Sequence, residues 1–156
     1  MVQLAYSDYY EQPFFFNLSG PVGKGYPNAR TDDVLLVQYA IGLMGTGKRS
    51  DDPLGPSFAK VKATGTTDDA LLAAIMELQS YRRRKFGPPH EVDGIVSVAR
   101  TRSGAYVKDA AYNIYTLNLA VKYANPTLWP RFDKDPRCPA VLGQAIRDLL
   151  ARGLAP

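Results

Sequence analysis

The segment GTTDDALLAAIMELQ, residues 65–79, has the pattern of an amphipathic helix that ends in an apolar-Gln pair. Thr66 and Asp69 have the spacing of a capping box, in which two side chains bond free backbone N–H groups at the start of a helix. The helix must end before Gly87-Pro88-Pro89, because proline cannot extend it. Apolar residues at helical spacing, together with Gln79, predict one buried face: Leu71, Leu72, Ile75 and Leu78.

Another helix is predicted upstream, over residues 31–45. Thr31 is placed as its cap, and Asp32-Asp33 complements the positive end of the helix dipole. We expect the acidic pairs of this chain to lie at caps or in solvated loops. Gly45-Thr46-Gly47 ends the helix. Its apolar spacing predicts one buried face: Val34, Val37, Ile41 and Met44.

The remainder of the chain predicts two more helices and little strand. Residues 95–99 alternate as a short strand, and a turn at Ser103-Gly104 would join it in a hairpin to Tyr106-Val107. Helical spacing recurs over residues 109–124 and Ala140–Ala151. The expected fold class is therefore mainly α.

Composition places the chain among ordinary single-domain globular proteins. It has 156 residues, 46% hydrophobic and 22% charged, and a net charge of +4 that is too modest to predict a nucleic-acid partner. With one cysteine and one histidine, a multi-cysteine zinc site is excluded, and we predict no metal and no cofactor. No apolar run is long enough for a membrane span, and the first residues lack a secretory signal pattern. The expected location is the cytoplasm by default, or delivery by signal-independent export or as part of a particle.

Motifs for catalysis are incomplete, so we predict no catalytic residue. Residues 42–48, GLMGTGK, nearly match a phosphate-binding loop, but Arg49 stands where Ser or Thr should hold magnesium. Cys138 and His90 could in principle form a nucleophile–base pair, but no motif supports this. A lone cysteine is more often a small buried apolar residue. Glycan hydrolysis needs two carboxylates across a cleft, and no pair of glutamates stands out.

Three short signatures occur in a telling order: Val37-Gln38, Leu78-Gln79 and Asp93-Gly94, after a glycine-containing lead-in at residues 22–28. In this order and spacing, residues 20–97 resemble the peptidoglycan-binding-like domain, a small three-helix repeat module. A glutamine near a helix end can bond loop backbone that would otherwise be unsatisfied. An Asp-Gly pair suits a turn that needs a left-handed residue.

The resemblance implies a small orthogonal helical bundle at residues 21–97 that binds peptidoglycan or another wall polymer without catalysis. Residues 1–20 would be an aromatic N-terminal arm or strand, and residues 98–156 a helical extension packed on the module, within a single domain. The chain departs from the family after Val96, where Ser97-Val98-Ala99 replaces the usual glycine or proline and Thr cap. The third helix of the module is therefore displaced, or replaced by the helix at residues 109–124.

By this resemblance, wall polymer would lie in a cleft between the lead-in loop, the end of the second helix and Asp93-Gly94. The contact candidates are Tyr26, Asn28, Gln79, Arg83 and Asp93. The basic run Arg82–Lys85 is either a solvated helix end that favours the dipole or a site for phosphate or an acidic polymer. Tyr26 and Trp129 are either sugar-stacking platforms or core anchors.

Two other functions stay open. The chain could be a structural or adaptor protein that uses the same fold to bind protein, for example in a phage tail or a contractile secretion apparatus. Its aromatic arm could then dock the partner, although we expect the arm to pack on the core. A cell-wall hydrolase with its site in residues 98–156 is a weaker alternative.

Overall fold

A computed structural model describes residues 1–8, 12–46, 56–88, 90–100, 106–107 and 112–153. About half of these residues are helical, so the mainly α prediction is confirmed. The helices are α1 (Thr31–Thr46), α2 (Ser57–Lys60), α3 (Asp69–Phe86), α4 (Asn113–Ala124) and α5 (Ala140–Ala151), with a 3-10 turn at Phe132–Lys134. The strands are β1 (Gln3–Ser7), β2 (Phe14–Asn17), β3 (Val22–Gly23), β4 (Ile95–Val96) and β5 (Tyr106–Val107).

Helix α1 forms the centre of the molecule. Every residue from Asp32 to Ile41 is buried, because α2, α4, α5 and β3 all contact this helix. The prediction of a single buried face was therefore wrong for α1, whose sequence is apolar on all sides, as in other core helices. Met44, near its end, is partly buried.

The N-terminal segment is part of the core. Strand β1 pairs antiparallel with β2 and parallel with β5. Phe15 and Phe16 on β2 are fully buried, so the expectation that this segment packs on the core is confirmed. Phe16 also meets Trp129 edge to face, with ring centroids 5.5 Å apart, which makes Trp129 a core anchor.

The acidic pair at the start of α1 holds this segment in place. Asp33 is fully buried and accepts hydrogen bonds from the Ser19 hydroxyl at 2.6 Å and from the backbone N–H of Gly20 at 3.2 Å. Asp32 Oδ2 accepts from the backbone N–H of Val2 at 2.7 Å. Asp32 and Asp33 lie in the first turn of α1 as expected, but both are buried there and satisfy backbone donors of a distant segment.

The predicted hairpin is also wrong. Strand β4 pairs antiparallel with β3, whereas β5 pairs with β1, so the two strands belong to different sheets. The predicted turn at Ser103-Gly104 lies outside the described residues. Strand β4 covers two residues only, because the chain beyond it bonds Asn17 instead. The side-chain amide of Asn17 accepts a hydrogen bond from the backbone N–H of Ala99 and donates one to the Ala99 carbonyl.

Helix boundaries follow tertiary contacts as well as local patterns. Helix α3 is capped by Asp68, which accepts from the Leu71 backbone N–H at 2.8 Å. The predicted capping box of Thr66 and Asp69 was wrong, because the helix begins at Asp69 and Thr66 lies two residues before the cap. Helix α4 is described from Asn113, and residues 108–111, where its start was predicted, lie outside the described ranges. Helix α5 has the predicted bounds.

An asparagine on α4 covers the outer edge of β2. Asn118 Oδ1 accepts from the backbone N–H of Phe16 at 2.8 Å, and its Nδ2 donates to the Phe16 carbonyl at 2.8 Å. The side chain thus satisfies the groups that an adjacent strand would pair with, which protects an exposed sheet edge.

Replacing Asn118 with leucine should lower the free energy of unfolding by about 2–3 kcal/mol, because both Phe16 backbone groups become buried and unpaired. Urea unfolding followed by circular dichroism measures this change. Asn125→Leu is the matched control and should change stability by less than about 0.5 kcal/mol, since among the described residues the Asn125 side chain bonds only the exposed Thr127 hydroxyl. Equal effects for the two variants would contradict this role of Asn118.

The segment between the 3-10 turn and α5 is attached to α1 through a buried carboxylate. Asp135 Oδ2 accepts from the Tyr39 hydroxyl at 2.9 Å, and Arg137 donates to both carboxylate oxygens. The Arg137 guanidinium lowers the pKa of Asp135 from 3.8 to about 2, against the opposing effect of burial. Burial and the bond to Asp135 raise the pKa of Tyr39.

Acid should therefore weaken the fold. Because the folded-state pKa of Asp135 is depressed, its contribution is present above about pH 4, and about 2 kcal/mol of it is lost as pH falls toward 2. Urea unfolding at pH 7, 4 and 2.5 checks this. Asp135→Asn should be less stable at pH 7 and lose less stability on acidification, while Asp148→Asn on α5 should behave as the wild type. If the stability of Asp135→Asn fell with pH in parallel with that of the wild type, the assignment of this acid sensitivity to Asp135 would be refuted.

Candidate functional site

Gln79 on α3 binds the turn at Asp93-Gly94 with both ends of its amide. Its Oε1 accepts from the backbone N–H groups of Asp93 at 3.1 Å and Gly94 at 2.8 Å. Its Nε2 donates to Asp93 Oδ1 at 2.8 Å and to the Ile95 carbonyl at 2.9 Å. All four hydrogen-bonding positions of the amide are therefore used inside the protein.

Gln38 on α1 does the same for the turn that precedes α3. Its Oε1 accepts from the backbone N–H of Gly65 at 2.9 Å, and its Nε2 donates to Thr64 Oγ1 and the Thr66 carbonyl, each at 3.0 Å. Gly65 and Gly94 have nearly equal φ values of 76° and 77°. The expectation that the two glutamines satisfy loop backbone, and that the Asp-Gly pair provides a left-handed turn, is confirmed.

The lead-in segment meets the Asp93-Gly94 turn through the backbone. Lys24 N–H donates to the Gly94 carbonyl at 2.9 Å, next to the β3–β4 pair. A β-carbon at Gly23 would collide with that carbonyl oxygen, so only glycine permits this approach. The three segments that we expected to flank a cleft therefore converge at Gly94: the lead-in, α3 and the Asp-Gly turn.

Exposed side chains gather where these segments meet. A β-carbon at Gly94 would lie 3.1 Å from Met76 Sδ and 3.3 Å from Lys24 Cβ, so these two side chains flank the turn. Tyr26 and Met76 are each 40% exposed, and Val92 is also exposed. We call this surface the Gly94 face: Lys24, Tyr26, Met76 and Val92.

The five predicted contact residues divide into two groups. Gln79 is only 2% exposed and fully bonded, so it belongs to the scaffold and is removed from the contact candidates. Tyr26 and Asn28 are exposed on the turn after β3, where Tyr26 N–H donates to the Gly23 carbonyl. Arg83 and Asp93 border the same region.

Arg83 and Asp93 are accessible from solvent. Arg83 is exposed and donates to the His90 carbonyl at 3.1 Å, which ties α3 to the loop before the turn. Asp93 is partly exposed, and its Oδ1 accepts from Gln79 and from the backbone N–H of Ile95. Within the described part of the chain, the second carboxylate oxygen, Oδ2, makes no hydrogen bond. It is therefore an acceptor that a ligand beside the Gly94 face could use.

Sequence reasoning missed three members of the Gly94 face: Lys24, Met76 and Val92. Met76 carried a signal, because it lies off the apolar stripe of its helix and is therefore an apolar side chain on the solvent side. Lys24 and Val92 lie in or beside segments that were expected to flank the cleft, but nothing in the sequence distinguished these two side chains from their neighbours.

The chemistry of Cys138 is that of a structural thiol. Burial, with the negative charges of Asp135 and Asp133, raises its pKa to about 12, so it is protonated at neutral pH and lacks the thiolate of a nucleophile. His90 packs against the Phe86 ring at 5.6 Å. In the described ranges, no group of three or more His, Cys, Asp and Glu side chains is arranged to hold a metal ion.

A membrane-spanning helix must be both long and apolar. None of the helices in the described ranges is both long enough and apolar enough to cross a bilayer.

No protein-family model, curated protein or solved structure matches this chain. The likeness of residues 20–97 to the peptidoglycan-binding-like domain therefore stays a prediction from the residues themselves.

Proposed function

We propose that this chain is a non-catalytic module of peptidoglycan-binding type that binds wall polymer through the Gly94 face. The observation that supports the proposal is the exposed ring of Tyr26 on the lead-in segment, which the Lys24–Gly94 hydrogen bond joins to the turn held by Gln79. An aromatic ring packs against the apolar face of a sugar, while amide, carboxylate and guanidinium groups bond hydroxyl and peptide groups. Asn28, Asp93 and Arg83 supply these groups here.

The rigidity of the turn favours binding. Gln79 and the β3–β4 pair hold the backbone on both sides of Gly94, so little backbone conformational entropy is lost when a ligand binds. Affinity for each polymer unit would be modest, and repeated units on the wall would raise it through avidity. Within this proposal the helices form the small orthogonal bundle that the resemblance implies.

Co-sedimentation with purified insoluble peptidoglycan tests the proposal. The wild type should sediment at low salt, and Tyr26→Ala should weaken binding by about tenfold, as expected for loss of an aromatic contact. Tyr123→Ala is the matched control, because Tyr123 on α4 is 47% exposed, close to Tyr26, and lies on another element. Absence of wild-type sedimentation, or equal losses for both variants, would reject binding at this face.

Release of dye from labelled peptidoglycan tests the proposal that the module has no catalytic activity. We expect no release above the buffer control from the wild type, Glu91→Gln or His90→Ala. Release that the wild type supports and either variant abolishes would identify a hydrolase.

One observation favours protein as an alternative ligand. The Gly94 face contains two exposed apolar side chains, Met76 and Val92, which suit a protein partner better than a glycan. An adaptor of this kind would lose its partner on Met76→Ser, whereas wall binding should depend more on Tyr26. Light scattering after size exclusion would detect self-association, and a mass unchanged by Met76→Ser would count against a second copy as the partner.

A further inference from the structure

Asp93-Gly94 is the one Asp-Gly pair in the sequence, and no Asn-Gly pair occurs. The peptide bond of an Asp-Gly pair is chemically reactive, because glycine has no side chain to hinder attack of its backbone nitrogen on the neighbouring carboxyl group. The pair lies where the lead-in, α3 and the turn converge, so its chemical stability affects the whole candidate site.

The reaction of such a pair needs no co-reactant other than water. The Gly94 nitrogen loses its proton and bonds Asp93 Cγ, while a carboxyl oxygen leaves as water, which gives a cyclic imide. Water then adds to one of the two ring carbonyls, and nothing is oxidised or reduced. Opening at the former side-chain carbonyl restores aspartate, whereas opening at the former backbone carbonyl gives isoaspartate, in which the main chain runs through Cβ and Cγ.

The folded chain holds the nucleophile of this reaction in an unreactive form. The backbone N–H of Gly94 is buried and donates to Gln79 Oε1 at 2.8 Å. An amide oxygen is too weak a base to remove this proton, and burial keeps water and hydroxide from removing it. The nitrogen therefore keeps its proton, and its lone pair stays delocalised in the peptide bond.

The carboxyl group of Asp93 is held as well. Its Oδ1 accepts from the backbone N–H of Ile95 at 2.9 Å and from Gln79 Nε2 at 2.8 Å. Ring closure makes Cγ a tetrahedral centre bonded to the Gly94 nitrogen, which displaces Oδ1 from both donors. Gln79 therefore restrains both reacting groups, one with each end of its amide.

The backbone beside the pair is also fixed. Lys24 N–H donates to the Gly94 carbonyl at 2.9 Å, and the β3–β4 pair begins directly after the turn. Ring closure consumes the Gly94 N–H, so the bond to Gln79 Oε1 must break first. The reaction is thereby limited to rare local openings in which the turn separates from Gln79.

We propose that Asp93-Gly94 is a site of spontaneous conversion to isoaspartate, and that Gln79 suppresses this conversion in the folded chain. The amide of Gln79 then both stabilises the turn and protects it chemically. Conversion adds one atom to the main chain at residue 93, so it should release the bonds to Gln79 and Lys24 and deform the Gly94 face. The reaction needs no ligand and is independent of the proposed function.

The test follows the tryptic peptide Phe86–Arg100, which contains the pair. Its isoaspartyl form has the same mass but a different retention time in liquid chromatography, and heavy-oxygen water labels the peptides that have passed through the ring. Over several weeks at neutral pH, the folded wild type should convert at least about thirtyfold more slowly than the same chain in urea, because the turn must first lose several hydrogen bonds. A smaller ratio, or no conversion of the unfolded chain, would overturn the proposal.

Substitution of Gln79 separates local protection from overall stability. Gln79→Leu should convert at least about tenfold faster than the folded wild type, because the turn opens more often. Asn118→Leu is the matched control, since it also lowers the free energy of unfolding but frees Phe16 in the other sheet. It should convert within about threefold of the wild type.

Circular dichroism establishes that each variant is folded, with sucrose added to all samples where one variant requires it. If Gln79→Leu does not fold, Gln79→Glu replaces it. This variant keeps an acceptor for the two backbone N–H groups but loses the donor to Asp93, and it should also convert faster than the wild type. A wild-type rate for the folded Gln79 variant, or equal acceleration by Asn118→Leu, would overturn the protective role of Gln79.

Discussion

Replacing Gln79 with leucine should lower the free energy of unfolding by about 4–6 kcal/mol, the largest effect that we expect from any polar substitution in this chain. Leucine fills a similar volume but leaves the backbone N–H groups of Asp93 and Gly94 and the Ile95 carbonyl unpaired. Each buried and unpaired group costs about 1–3 kcal/mol.

Urea unfolding followed by circular dichroism measures the change. Gln144→Leu is the matched control, and its effect should stay below about 0.5 kcal/mol. Gln144 on α5 is exposed and, within the part of the chain that the structure describes, its side chain bonds only Asp148 and Arg147. Gln38→Leu should act in the same direction, because it releases the turn at Gly65. A loss below about 1 kcal/mol for Gln79→Leu would show that the turn does not depend on this side chain.

Replacing Gly23 with alanine should be the most damaging change among the glycines of the lead-in, at about 3–5 kcal/mol. Its φ of 128° is unfavourable for alanine, and the new β-carbon would collide with the Gly94 carbonyl oxygen. That collision must separate β3 from β4 or shift the turn that Gln79 binds. Thermal and urea unfolding both report it.

Alanine substitutions at two nearby glycines distinguish the cost of backbone strain from the cost of the steric collision. Gly25 has a φ of 83° but open space where a β-carbon would lie, so Gly25→Ala should cost about 1–2 kcal/mol from backbone strain alone. Gly20 has open space and no positive φ, so Gly20→Ala should change stability by less than about 0.5 kcal/mol. If Gly23→Ala costs no more than Gly25→Ala, the close approach of the two backbones is not required.

Local patterns predicted those elements whose ends depend on nearby residues. Helix α5 has its predicted bounds because its apolar spacing alone specifies it, with prolines before it. The glutamine-turn contacts were predicted from the order of the Val37-Gln38, Leu78-Gln79 and Asp93-Gly94 signatures, although each glutamine lies inside its helix and bonds a turn 15 or 27 residues away. The mainly α class followed from these helices.

Long-range pairings were not predictable in this way. Strand β4 pairs with β3 across more than seventy residues, and nothing in residues 95–107 indicates that partner. Asp33 and Asn118 looked like ordinary polar residues of helices, yet each satisfies backbone groups of the N-terminal segment. Such contacts depend on the assembled fold, and a single sequence contains no signal for them.

The candidate site could likewise be predicted from the sequence only in part. Tyr26, Asn28, Arg83 and Asp93 were predicted as contacts because the turn residues have a recognisable order, and the segments that carry them converge at Gly94. Gln79 was assigned to the ligand because a sequence does not show that all four positions of its amide are occupied by backbone and Asp93.

The most direct test is a titration of ¹⁵N-labelled protein with soluble fragments of digested peptidoglycan, followed by amide chemical shifts. We expect shifts at the amides around Lys24, Met76 and Gly94, including Tyr26, and none along α5. Saturation of these shifts at one common dissociation constant would establish the Gly94 face as the binding surface. Fragments that leave these amides unmoved at millimolar concentration, or that move α5 instead, would contradict it.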